Sequence, residues 1–169
     1  MPITMYTASV PVYAHTLACL ERILDKAEAH AAAKKFDPAV LLGVRLAPDM
    51  LPLSKQVQIA CDAAKLSVAR LAGVDAPKFE DNEASIAELK ARIRKTIDFL
   101  GTVAAERVDG SERREISVPR RDGEMKFDGE TYLKHYALPN FFFHVTTTYA
   151  LLRHNGVDLG KADYLGALK

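Results

Sequence analysis

The chain has 169 residues, 49% of them hydrophobic and 27% charged, with 23 basic against 22 acidic side chains and a net charge of +1. That length fits a single domain over residues 1–169 with a core of its own. The balanced charge removes the electrostatic case for a nucleic-acid partner, and no run of about 18 apolar residues exists to cross a membrane. Residues Met1 to Tyr6 lack a charged segment followed by an apolar one. No secretion signal is read there, and the cytoplasm is the expected compartment. Cys19 and Cys61 fall inside predicted helices, where reduced core thiols are expected and not a disulfide.

In chain order, Ser9 and Pro11 predict the start of a long helix that runs to about Lys34. Tyr13, Leu17, Leu20, Leu24 and Ala27 form its apolar stripe. His15 and His30 lie off that stripe and read as surface or contact histidines. Three prolines, Pro38, Pro48 and Pro52, predict a packed connection with one short helical turn. A second helix is expected over Leu51 to Leu71, closed by Gly73, with Leu53, Val57, Ala60, Ala64, Val68 and Leu71 on one sector. Gln58 and Asp62 share a flank of it at a spacing that suits a hydrogen bond.

Asp81 or Asn82 predicts the cap of a third helix, whose stripe is Ile86, Leu89, Ile93, Ile97, Leu100 and Ala104. Lys90, Arg92, Arg94 and Lys95 occupy its other faces and read as solubilising charges. The helical period then stops. Glu115–Val118 and Glu124–Phe127 alternate with period two around a Gly-containing turn, which predicts a small β-hairpin. The Arg113-Arg114 and Arg120-Arg121 pairs read as solvated loop. A helical pattern reopens at Asp128, and from Pro139 it continues, kinked or as a new helix, to the stop at Asn155-Gly156. The tail is expected to pack back as an irregular strap.

Along that last helix Leu138, Phe141, Phe142, Val145, Tyr149 and Leu152 share an apolar face, and Asn140, His144 and Thr147 flank it. The run His144-Val-Thr-Thr-Thr-Tyr-Ala-Leu-Leu-Arg-His-Asn-Gly156 resembles the last helix of the DinB/YfiT-like superfamily. There a His-x-x-x-His pair precedes a Leu-Leu-Arg segment and a helix-ending Gly. The whole chain is similar to an uncharacterised DinB-like family of unknown function. The resemblance implies an all-α, up-down four-helix bundle with a hairpin insertion before the last helix.

In metal-binding members of that superfamily three histidines, one on helix two and two on helix four, hold a divalent ion. Carried over by position, His144 matches the second helix-four ligand and Asn140 the first. Gln58 matches the helix-two ligand, with Asp62 within a turn of it. His144 is therefore the one retained metal candidate. Neutral amides are poor donors for zinc or nickel, so no tightly bound metal or other cofactor is expected. The expected function is a non-enzymatic, small-ligand- or partner-binding homodimer with Gln58, Asp62, Asn140, His144 and Thr147 at its site. The competing expectation is a divalent-metal-dependent enzyme of the thiol-transferase or hydrolase kind.

Overall fold

Each long helix begins and ends where its sequence supplies the means. In the computed structural model, which describes residues 3–167, helix α1 spans Val10–Lys34, α2 Leu53–Ala72 and α3 Ile86–Gly101. The stripe residues Tyr13, Leu17, Leu20, Leu24 and Ala27 of α1 are all fully buried. Ser9 does not cap α1 with its side chain; its hydroxyl donates back to the Met5 carbonyl at 2.6 Å. Helix α2 stops at Gly73, whose φ of +64° is the left-handed conformation that glycine takes without a Cβ penalty.

Helix α3 starts later than the sequence suggests. Its cap is Ser85, not Asp81 or Asn82, and a reciprocal bond to Glu88 completes a capping box. Asp81 instead pairs with Arg92 in an ion cluster described below. The helix also ends at Gly101, so Ala104 lies beyond it, as the residue preceding the short helix α4, Ala105–Val108.

The hairpin forms as β1, Glu115–Arg120, paired antiparallel with β2, Gly123–Asp128. Two strands are marginal alone in water. Ile116 and Val118 are buried, and the Phe127 ring lies 5.9 Å from that of Tyr132 and 5.4 Å from that of Tyr136. The hairpin thus rests on the helix that follows it. That helix is the kinked continuation and not a new start. Helix α5, Gly129–Tyr132, passes through a wide turn at Leu133–Ala137 into α6, Leu138–His154, with right-handed helical backbone at each junction. The Leu138 amide donates to the Leu133 carbonyl, five residues back. Such a widened turn accommodates Pro139, which has no N–H and would crowd the preceding turn of a regular helix.

The architecture is mostly helical with one two-stranded hairpin. Helix α2 lies between α3 and α6, and α1 packs chiefly against α3. The largest fully buried side chains include Tyr13, Tyr132, Phe141, Leu17, Leu20 and Leu89, drawn from all of these helices but α2, which adds Leu53 and Leu71. The C-terminal strap contains a short helix, α7, Lys161–Leu165, laid along α1. His15 Nε2 lies 2.7 Å from the Leu165 carbonyl and Lys26 pairs with Asp163 at 2.8 Å. Among the described residues no helix is long and apolar enough to cross a membrane.

Candidate functional site

The residues picked out on α2 and α6 do not meet at one point. His144 is 8% exposed, and its Nδ1 lies 2.7 Å from Oε1 of Gln56. Gln56 Nε2 donates to the Leu51 carbonyl at 3.0 Å, which fixes Oε1 as the end facing His144. An amide oxygen only accepts, so His144 carries its proton on Nδ1. Burial lowers the pKa of the imidazole, which is therefore neutral at pH 7. The chain of bonds from His144 through Gln56 to Leu51 ties α6 to the entry of α2.

Gln58, the helix-two position expected opposite His144, points elsewhere. Two residues along a helix is a rotation of about 200°, so Gln56 and Gln58 cannot share a target. Gln58 Nε2 donates to Glu83 Oε2 at 2.7 Å, and it makes no bond to Asp62. Asp62 Oδ1 accepts from Lys65 at 2.9 Å and from Arg92 at 3.1 Å. Arg92 is not a solubilising charge. It is 2% exposed and also reaches Asp81 at 3.0 Å and Glu83 at 2.9 Å, while Lys55 holds Asp81 at 2.9 Å. Three cations and three carboxylates thus balance between α2, α3 and the loop before α3. The Phe79 ring covers the cluster, 4.0 Å from Lys65 Nζ. Burial pushes the Glu83 carboxyl up, but the hydrogen bonds from Arg92 and Gln58 and the Arg92 charge outweigh it and hold the group below its ordinary 4.5.

Asn140 faces a different feature, a cleft between α2 and the last helix. Asp62, Leu66 and Arg70 line one wall, Tyr132, Tyr136 and Asn140 the other, and Val118 of the hairpin closes one end. The cavity is about 160 Å³. Asn140 is half-buried, and among the described residues its side-chain amide has no hydrogen-bond partner. Tyr136 lies in the wide helical turn, a feature that recurs at functional sites. Arg70 donates to the Tyr132 hydroxyl at 3.0 Å. Thr147 belongs to neither place. Its hydroxyl donates to the Phe143 carbonyl at 2.7 Å, beside a shallow apolar face formed by Leu46, Phe142, Phe143 and Ala150.

The donor set does not fit a resident dication. Among the described residues no group of three or more His, Cys, Asp or Glu side chains is placed to hold a metal. The Asp62 oxygen nearest the cluster already serves two cations, and the polar neighbour of His144 is an amide. Both thiols are free and buried. Burial pushes Cys61 up to about 12 and raises Cys19 as well, so neither is a thiolate at neutral pH.

Gln56 and Arg70 carry no local sequence signal for these contacts, and Arg92 reads in sequence as a solubilising charge. Arg70 only follows Asp62 and Leu66 at helical spacing on one strip of α2.

A pH test isolates His144. In the unfolded chain the imidazole binds a proton near its ordinary 6.5, whereas the folded one resists to lower pH. The unfolded state therefore holds more protons just below pH 6.5, and stability present above that pH declines as the pH falls. Melting curves of the wild type and of His144→Gln across this window should diverge, the variant lacking that component. Parallel curves would contradict a neutral, buried His144.

The fold places the chain in the DinB-like class of helical proteins. A crystal structure of a DinB family member protein from Shewanella denitrificans is similar to it with a TM-score of 0.91 at 45% sequence identity, over 96% of this chain and 92% of that one. Residues 5–165 match the model of a domain of unknown function, DUF1993, and the chain belongs to that family. No curated protein matches it.

Proposed function

We propose that this DUF1993 protein is an up-down four-helix bundle that binds a small molecule in the cleft between α2 and α6, without a resident metal and without catalysing a reaction. The observation that carries this reading is the unpartnered Asn140 amide beside the aromatic wall of Tyr132 and Tyr136. Ligand sites combine apolar walls with a few polar groups left free to orient the guest. A cleft of about 160 Å³ is smaller than the roughly 300–1,000 Å³ of drug-sized sites, so the guest is small. Asp62 and Asn140 remain site residues in this reading, whereas His144 and Gln58 hold the helices that shape it. Two reduced, buried thiols suit a cytoplasmic protein.

The homodimer expected from the sequence has one natural face, the apolar surface around Phe143 and Leu46, which are 55% and 48% exposed. Thr147 lines it. The competing reading, a metal-dependent enzyme, needs a set of ion donors that the described residues do not bring together.

A fragment screen read by amide chemical shifts tests the cleft. Ala63 also lines it, and Ala63→Trp would fill it. Fragments that perturb Leu66, Tyr136 and Asn140 in the wild type should lose those effects in the variant. Fragments clustering elsewhere, or indifferent to Ala63→Trp, would overturn the reading.

A further inference from the structure

Resting on the cleft reading, we propose that the guest is a small carboxylate with an apolar body, its anionic head held by Arg70 with Arg120 at the rim. Arg70 is the observation that names the class. It is half-buried in the cleft, and among the described residues no carboxylate lies within ion-pair distance of it. Its Nη1 is engaged by the Tyr132 hydroxyl, which leaves the Nε–Nη2 edge, the parallel pair of donors that matches the two oxygens of a carboxylate. The Arg120 guanidinium lies 5.9 Å from the centre of the Tyr136 ring, so a second cation stands near the cleft, outside the residues that line it.

Most of the nearby carboxylates are engaged by other cations. Asp62 lies eight residues from Arg70 along α2, about 12 Å by helical rise, and its charge is taken up by Lys65 and Arg92. On the hairpin Glu115 and Glu124 are shared with Lys126, and Glu130 pairs with Lys134. Arg70 is the cation that lines the cleft among the described residues, at its Tyr132 end. Leu66 and the Tyr136 ring form the apolar middle, and the Asn140 amide stands toward the far end. A phosphate dianion would match two guanidiniums but would leave the apolar walls unused. A carboxylate on an aromatic or aliphatic body uses both.

The test compares benzoate with benzamide, which keep one shape and differ in charge, by calorimetry and amide shifts on the full chain. Benzoate should bind with shifts at Ala63, Leu66 and Ala137, and benzamide about tenfold more weakly or worse. Arg70→Gln should weaken benzoate by about tenfold and leave benzamide unchanged. Arg120→Gln, on the exposed hairpin, should give a smaller loss that fades with added salt. If Arg70→Gln does not fold by circular dichroism, the benzoate-to-benzamide ratio and Arg120→Gln decide. Equal binding of the two probes in the cleft would overturn the carboxylate class and leave the cleft reading standing. Benzoate binding indifferent to both arginine variants would overturn the assigned head site. Absence of cleft shifts with either probe would overturn the carboxylate proposal, and the fragment screen with Ala63→Trp then decides the cleft reading.

Discussion

Arg92→Met should destabilise the protein by about 3–5 kcal/mol, the cost of removing a buried cation and leaving the nearly buried Glu83 carboxylate without it. The guanidinium is 2% exposed and joins Asp62, Asp81 and Glu83, residues of α2 and of the loop that leads into α3. Its removal leaves Glu83, whose side chain is 9% exposed, with the Gln58 amide and its own backbone but no cation. The pH dependence should move with it. In the wild type Glu83 is held below its ordinary 4.5 despite burial, so its stabilisation is present above that pH and is lost as pH falls through the lowered value. Without Arg92 burial dominates, the carboxyl is pushed up, and acid unfolding should begin at higher pH. Denaturant titrations at several pH values check both effects. Arg94→Met is the control: Arg94 is exposed on the same helix and pairs with Glu21, a surface contact worth about 0–1 kcal/mol. Equal losses for the two variants would mean that the buried cluster contributes nothing special.

Phe141→Ala should cost a similar amount, about 3–5 kcal/mol, by a different route. The ring is fully buried and meets Tyr13 of α1 edge-on, at 4.9 Å between centres and 86° between planes. It also packs against the neighbouring Phe142 ring at 5.4 Å. Truncation opens a cavity between α1 and α6 that the surrounding helices cannot fully close. Phe141→Leu should lose less, because most of the buried volume remains. Thermal denaturation of the three proteins should rank them wild type, Leu, Ala; an Ala variant as stable as the Leu one would contradict a rigid contact there.

Most of the helical frame was legible because its signals are local. The stripes of α1, α2 and α3, the stop at Gly73 and the alternation in the hairpin follow from period and propensity. The start of α3 was misplaced because Asp81 reads as a cap on local grounds, while a distant arginine recruits it. The same long-range partner hid the role of Arg92, which looks like one more charge in a run of lysines and arginines. The site was less legible. Position-by-position transfer put Gln58 opposite His144, but a shift of two residues on a helix turns a side chain to another face, and Gln56 holds that place. Asn140 lies on the polar flank of α6 and lines the cleft, and its neighbour there, Arg70, becomes apparent only when α2 and α6 are set side by side. Thr147 shares the sequence flank of His144 but lies against the apolar face.

His144 is bonded through Nδ1 to Gln56 and holds α6 against the entry of α2. The most direct measurement is nitrogen-detected NMR of the His144 imidazole in the full protein, before and after one equivalent of Zn²⁺ or Ni²⁺. A neutral ring protonated on Nδ1, with signals and melting temperature unchanged by the ion, is the predicted result. A ring nitrogen shifted or broadened at stoichiometric metal, together with a raised melting temperature, would contradict it.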